Sequence, residues 1–378
     1  MKILIDNNII FSYSLFKKIG KVNLINSIDI NAKNISGFDA LIIKSSTNVN
    51  ENLLKNSNIK FIGSATSGKD HVDVDWLKKN KINFDFAPGC NSVAVAEYVF
   101  SSMLYFAYRD KFSLLKKTVG IVGFGNIGKC LNKKLSAIGV KTILCDPILE
   151  EKNNIKLKSL NEIVQNSDII TLHVPLTYSG KYPTWHLINK KILLDLKDNC
   201  ILINTSRGSV IDNNSLLNIL KEGKPIRVVL DVWENEPLIC SKLLSLIDIG
   251  TPHIAGHSLE GKIKGTISIF NSLCNFVGKK NKKYFISSFI DPYEIEYISM
   301  KGRIDQSKIY LLSLLSNNIL YDDHELRKNF NKKNCFVNLR NSYRKRREWS
   351  SLFIKSNNIL FSNLLNKIGF NSKFFKEK

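Results

Sequence analysis

Residues 118–128 read Thr-Val-Gly-Ile-Val-Gly-Phe-Gly-Asn-Ile-Gly, a short apolar run closed by G-x-G-x-x-G. No other stretch restricts the fold as much. Gly123 permits a tight turn, Gly125 lets the backbone approach a pyrophosphate, and Gly128 lets a helix pack closely on the preceding strand. The pattern is weak in isolation. Here it follows a strand, opens a helix expected over Lys129–Ile138, and precedes a second strand that ends in Asp146, 18 residues beyond Gly128. Amides of the loop, those of Asn126 and Ile127 included, then face an anion at a helix N-terminus. A carboxylate at 146 accepts ribose hydroxyls and repels a 2′-phosphate, so NAD is expected rather than NADP.

Around this loop the chain alternates strand and helix. Six apolar runs (Thr118–Gly123, Lys141–Cys145, Asp168–Val174, Cys200–Asn204, Arg227–Val232, Ile249–Pro252) match a complete doubly wound domain. Before it, Lys2–Ile5, Ala40–Ile43, Lys60–Ser64 and Ile82–Ala87 predict a smaller parallel sheet. Pro88-Gly89 breaks the chain, and Asn91 or Ser92 is placed to cap a long helix. In it Val93, Ala96, Phe100, Met103, Leu104 and Ala107 form one apolar stripe, as expected of an inter-domain bridge. A further helix is expected from Leu259 to Val277, then a linker at the basic run Lys279–Lys283, then a separate small domain.

Composition excludes several classes. With 44% hydrophobic and 10% aromatic residues the 378-residue chain is globular. No apolar run reaches the roughly 18–20 residues of a membrane helix, and Lys2–Ile5 meets Asp6 too soon for a signal peptide core. The seven cysteines are scattered without Cys-x-x-Cys, so neither a zinc site nor a disulfide framework is indicated and a reducing cytoplasm is expected. Net charge is +22, and residues 279–378 hold 21 Lys/Arg against 9 Asp/Glu. Such an excess raises nucleic acid as a partner, but no aromatic–basic interleaving or nucleic-acid motif accompanies it. The abundance of Lys, Asn and Ile throughout reads as compositional drift, with an anionic ligand as the sharper alternative.

Three segments place polar residues at strand ends, where ligands of open parallel sheets bind. They are Asn204-Thr-Ser-Arg207-Gly208, Asp231-Val-Trp-Glu-Asn-Glu236-Pro237 and Thr251-Pro-His253-Ile-Ala-Gly256. The planar fork of Arg207 suits a carboxylate or a polarised carbonyl. His253 beside Glu236 would be held in one tautomer as a stronger base, which removal of a hydroxyl proton during hydride transfer requires. Each has a plainer reading: a helix-capping arginine, a solvated turn, a structural histidine. His253 and His257 are four apart, a metal spacing only on a helix, and Pro252 and Gly256 argue against one.

These segments, together with Ser64–Asp73, Ala87–Asn91 and the short Arg109–Lys117 connection, resemble the D-2-hydroxyacid dehydrogenase superfamily. Leu339–Leu352 is similar to the terminal dimerisation domain of a branch acting on a phosphorylated 2-hydroxy acid. The resemblance implies an α/β architecture: a Rossmann NAD-binding domain (98–255), a flavodoxin-like substrate-binding domain (1–97 and 256–284), and a small C-terminal α+β dimerisation domain (285–378) that makes a homodimer. It also implies Arg207, Glu236 and His253 as catalytic residues, and Ser45, Thr66 and His257 as substrate contacts. Gly123–Gly128, Asp146, Val174, Asp231 and Gly256 would lie on the cofactor. Val174 stands where a Thr is usual, and His257 where a Tyr is usual. Lys44 and the Arg344–Arg347 cluster are candidate phosphate partners, the cluster otherwise reading as a solvated helix face. Rival readings are a 3-phosphoglycerate or glyoxylate type of 2-hydroxyacid dehydrogenase, and a non-catalytic NAD-binding regulator. No membrane or nucleic-acid partner is expected.

Overall fold

A computed structural model describes residues 1–280, 283–290, 295–303 and 305–376. Part of the basic run Lys279–Lys283, residues 281 and 282, lies outside the described residues. The chain divides into two compact units, Met1–Asn91 with Ser258–Pro292 and Ser92–His257 with Tyr293–Lys378. The segment expected as a third domain thus groups with the nucleotide-binding one.

The first unit is built on five parallel strands, β1 (Lys2–Asp6), β2 (Lys21–Ile25), β3 (Ala40–Ile43), β4 (Phe61–Ser64) and β5 (Asn83–Phe86), in the flavodoxin-like order β2-β1-β3-β4-β5. Strands β3 and β4 are buried throughout, as continuous apolar runs in a parallel sheet should be. Strand β2 escapes the sequence reading because it is an edge strand. It alternates poorly and is largely exposed, so it carries no apolar run. The helix Leu259–Phe276 packs on this sheet through Ile269, Phe270 and Leu273, and Ser258 caps it by accepting from the Gly261 amide (2.9 Å).

The second unit contains a six-stranded parallel sheet: β6 (Thr118–Val122), β7 (Lys141–Cys145), β8 (Ile169–Leu172), β9 (Ile201–Asn204), β10 (Arg227–Leu230) and β11 (Ile249–Gly250). Its order is β11-β10-β9-β8-β6-β7, so the strand order reverses between β6 and β8. The register is even across the sheet. Cys145, Val122, Leu172, Asn204, Leu230 and Gly250 form one row of partners. The residues that follow them (Asp146, Gly123, His173, Thr205, Asp231 and Thr251) therefore line the carboxyl edge together.

The helix Ser92–Arg109 buries more than a stripe. Tyr98, Val99, Phe106 and the polar Glu97, Ser101 and Ser102 are covered as well as Ala96, Phe100 and Met103. The reason is that it has partners on two sides within this unit, the helix Asn126–Ala137 and the helix Gln306–Ser316. One apolar core runs from Val99, Phe100 and Leu131 into Ile309, Trp349, Phe361 and Leu365 of the terminal segment. That segment adds a three-stranded parallel sheet, β12 (Ile298–Met300), β13 (Phe353–Ser356) and β14 (Asn371–Phe374), with the helix Ile359–Ile368 crossing from β13 to β14. Trp349 is wholly buried, stacked on Phe370 with ring centroids 4.7 Å apart and tilted against Phe100.

A buried ionic group joins these elements. Lys134 Nζ lies 3.2 Å from Glu97 Oε1 and donates to the Ile368 carbonyl (2.6 Å), while Glu97 Oε2 accepts from the Trp349 amide (3.0 Å). Burial pushes the Glu97 carboxyl up to about 7; Lys134, the Trp349 amide and Arg346 pull it down, and Glu348 pushes it further up. The folded state therefore binds a proton that the unfolded chain releases near pH 4.5, and its stability falls as pH rises from there through about 7. Glu97→Gln removes this dependence. Thermal unfolding of the two proteins should show the variant gaining on the parent between pH 5 and 8, and a constant difference would contradict the assignment.

Candidate functional site

Each glycine of the phosphate loop occupies the environment its role needs. Gly123 has φ +93, and a Cβ there would lie 2.5 Å from the His173 carbonyl oxygen. A Cβ on Gly128 would lie 2.2 Å from the Gly123 oxygen, whereas one on Gly125 meets nothing within 4 Å. The two buried glycines thus bring β6, β8 and the helix together, and Gly125 leaves an open, exposed face. The helix begins at Asn126, three residues earlier than the sequence suggests, so Asn126, Ile127 and Gly128 form its first turn. By helix geometry the amides of that turn have no intrahelical acceptor. A dinucleotide pyrophosphate fits this cradle.

Asp146 ends β7 beside it. One carboxylate oxygen accepts from the Phe124 amide (2.8 Å) and the other caps the helix Pro147–Asn153 by accepting from Leu149 N (2.9 Å). Its charge is fixed against the glycine turn, with further lone pairs for ribose hydroxyls. Val174 follows β8 on the other side of Gly123, with Cγ1 3.0 Å from the position of a Cβ on that glycine. Its side chain is apolar, so its backbone is its polar contribution.

Arg207, Glu236 and His253 converge from the neighbouring strand ends. His253 Nδ1 and Glu236 Oε2 are 2.7 Å apart, and Glu236 also accepts from the Trp233 amide (2.9 Å). Burial alone would raise the Glu236 carboxyl; the hydrogen bond and charge of His253, the Trp233 amide and Arg340 outweigh it and hold the carboxyl below the usual range. Arg207, Gly208, Trp233, Glu236 and His253 line one cavity of about 160 Å³. Arg207 reaches it because Gly208 lies flat on the next loop, where a Cβ would fall 1.9 Å from Trp233 backbone atoms. Arg207 Nη1 donates to the Ser206 carbonyl (2.8 Å).

His253 has φ 56, a left-handed conformation that costs a non-glycine residue energy. Asp231 imposes it. The Asp231 carbonyl accepts from His253 N (2.8 Å), and its buried carboxylate accepts from Thr251 Oγ1 (2.6 Å), Ile254 N (2.7 Å) and Ala255 N (3.0 Å). Burial holds this carboxyl above its usual range, against the pull of His253 and of these donors. Gly256 follows the turn, and the His257 ring packs edge-on against Tyr343 of the terminal segment, centroids 5.9 Å apart.

Ser45 and Thr66 belong to the first unit. They follow Ile43 and Ser64, which are register partners, at the carboxyl ends of β3 and β4. Thr66 Oγ1 is 2.7 Å from Ser64 Oγ, itself 3.0 Å from His71 Nε2. The Arg344–Arg347 cluster is neither a helix face nor solvated throughout. It lies in irregular chain, with Arg344 paired to Asp322 (3.1 Å) and Arg346 buried on the carbonyls of Ala94 and Ala255.

Over 374 residues the chain is 46% identical to the erythronate-4-phosphate dehydrogenase of Baumannia cicadellinicola subsp. Homalodisca coagulata, covering 98% of this chain and 99% of the relative. It is 45% identical over 373 residues to the protein of the same name from Shigella dysenteriae serotype 1, covering 98% of each. The chain belongs to the erythronate-4-phosphate dehydrogenase family. Residues 105–255 match the NAD-binding domain of the D-isomer-specific 2-hydroxyacid dehydrogenases, and 289–369 match a domain of unknown function (DUF3410). Among solved structures, the NAD⁺-bound 3-phosphoglycerate dehydrogenase of Entamoeba histolytica superimposes with a TM-score of 0.63 at 25% identity, covering 74% of this chain and 95% of that one.

Within this family member two site residues lie beyond the sequence reading. Asn204, fully buried, accepts from Ser206 N (3.0 Å) and Ser206 Oγ (2.8 Å) and donates to the Arg207 carbonyl (2.9 Å), shaping the arginine loop. His173, beside the glycine turn, lies 3.0 Å from Thr171 Oγ1, and burial pushes its imidazole down to about 3, so it is neutral at physiological pH. Their shared signal is a polar residue closing or following an apolar strand. The Asp146 geometry yields a prediction. Asp146→Asn keeps one accepting oxygen, so one of the Phe124 and Leu149 amides loses its acceptor at a cost of about 1–3 kcal/mol in stability, and the lost charge should narrow the preference for NAD over NADP by roughly tenfold or more. Binding titrations with both cofactors check it, and an unchanged preference would remove Asp146 from cofactor selection.

Proposed function

We propose that this chain oxidises 4-phospho-D-erythronate at C2 to 2-oxo-3-hydroxy-4-phosphobutanoate, a step of vitamin B6 (pyridoxal 5′-phosphate) biosynthesis. The observation that carries the reading is the 2.7 Å His253–Glu236 pair in one cavity with Arg207. Full-length likeness to the erythronate-4-phosphate dehydrogenases selects the substrate. NAD, when bound, supplies the hydride acceptor. Asp146 and the Gly123–Gly128 loop would hold its adenosine and pyrophosphate, and Val174, Asp231 and Gly256 would also lie against it. Arg207 holds the substrate carboxylate and the oxygen that becomes the 2-oxo group. His253 keeps its Nδ1 proton in a hydrogen bond to Glu236, which leaves Nε2 to take the C2 hydroxyl proton as C2 loses its hydrogen as hydride and the C–O bond becomes a carbonyl. Glu236 stays ionised and stabilises the imidazolium so formed. His257 contacts the rest of the substrate.

His253→Ala should lower turnover by about 10²-fold or more while NAD affinity changes little. Glu236→Gln should do less damage than His253→Ala, because the imidazole remains and only its anchor is weakened. NADH formation across a panel of phosphorylated and plain 2-hydroxy acids tests the substrate: preference for 3-phosphoglycerate or glyoxylate-derived acids, or no turnover at all, overturns the reading. A folded, NAD-binding His253→Ala protein with near-normal hydride transfer removes the base assignment.

We further propose a homodimer assembled through the terminal segment. Leu311 and Leu315 are 55% and 58% exposed one turn apart on the helix Gln306–Ser316, and Leu360 on the helix Ile359–Ile368 is 69% exposed. An apolar face of this kind marks an association surface. Replacing Leu311 and Leu315 by Asp should convert a dimer to a folded monomer in light scattering at micromolar concentration. A parent that is already monomeric, or a variant dimer of unchanged stability, contradicts the assignment.

A further inference from the structure

The terminal segment does more than offer a surface. Arg346 is 2% exposed, and its fork spans two carbonyls: Nη2 donates to Ala94 (2.6 Å) in the helix Ser92–Arg109, and Nη1 donates to Ala255 (2.9 Å). Ala255 is the residue whose amide donates to Asp231 Oδ2 (3.0 Å), in the turn that carries His253. We infer that Arg346 is a positioning residue for His253: it holds by the carbonyl end the same residue that Asp231 holds by the amide end.

The energetics favour a positioning role over simple cohesion. A buried guanidinium gives up hydration, and here its fork is spent on neutral carbonyls, with Nε buried and unpaired. Its charge lies near enough to the Glu97 and Asp322 carboxyls to pull both down against their burial. An apolar residue would fill the volume at lower electrostatic cost, but it could not fix two carbonyls of different elements at once. The His253–Ala255 turn stores strain at His253, and a strained turn held from one side can relax. Held at Asp231 and Arg346, it fixes the imidazole against Glu236 before substrate arrives, and misplacements of about 1 Å are known to cost on the order of 10² in rate. Arg346 lies in the domain of unknown function, so the inference gives that domain a part in the chemistry of the chain that carries it.

The inference rests on His253 acting as the base. In the full-length protein, Arg346→Met should leave NAD affinity within about twofold of the parent. Single-turnover hydride transfer from 4-phosphoerythronate should fall roughly tenfold to a hundredfold, with kcat affected more than KM. Arg346→Lys, whose amine reaches one carbonyl, should recover part of the loss. Lys134→Met loosens the same terminal segment at Ile368 without touching the turn, and it should lower thermal stability with much less effect on hydride transfer. A folded Arg346→Met protein with parental hydride transfer overturns the inference. So does a loss in which stability, NAD affinity and rate all fall together, or a Lys134→Met protein that loses hydride transfer as far as Arg346→Met does. Where Arg346→Met does not fold, Arg346→Lys decides by the same readings, and its failure to fold also overturns the inference by making Arg346 a folding requirement. Failure of the underlying reading looks different: the parent then transfers no hydride from this substrate, or His253→Ala transfers it normally.

Discussion

The geometry of the His253 turn hangs on one buried carboxylate. Asp231 takes the hydroxyl of Thr251 and the amides of Ile254 and Ala255 on its side chain and the amide of His253 on its carbonyl. A turn forced into the left-handed region needs such over-determination, because each donor alone is worth only about 1–3 kcal/mol against the strain and the lost hydration. The clamp is available because β10 and β11 are in register, so Asp231 and Thr251 leave the sheet side by side.

The loop between Asp231 and Pro237 then divides labour between two carboxylates. Glu236 faces His253, while Glu234 binds His186 Nε2 (2.7 Å) and the Asn213 amide (3.0 Å) and so anchors the loop to the start of the helix Asn213–Lys221. Asn235 between them is left-handed, with φ 60. The contact of Gly208 with the Trp233 backbone locks this loop to the arginine loop. Arginine, carboxylate and imidazole therefore come from three strand ends that cannot move independently.

Much of this was legible from residue order. The glycine loop, the strand runs and the polar strand ends are local patterns, and local patterns survive in one dimension. Spacing alone could not pair residues 236 and 253, because the pairing depends on register between strands, and the resemblance supplied it. Nothing local separates Glu234 from Glu236 either, since a single left-handed residue sets their directions apart. The Arg344–Arg347 run misled because charge alone suggests solvent: Arg346 is buried where its fork meets the carbonyls of Ala94 and Ala255, distant in sequence. The all-round burial of the helix Ser92–Arg109 likewise reflects a partner some 200 residues away in sequence.

The core shared by Phe100, Leu131, Trp349 and Leu365 also bears on how such a chain is inherited. An appended module can be gained or shed without disturbing its host, but this segment cannot. A chain ending before it would leave an apolar flank, and the ammonium of Lys134 opposite Glu97, open to water. Shortening the gene from its 3′ end would therefore be paid for in solubility before any change in chemistry was felt, which ties retention of the last hundred codons to the fold of the nucleotide-binding half.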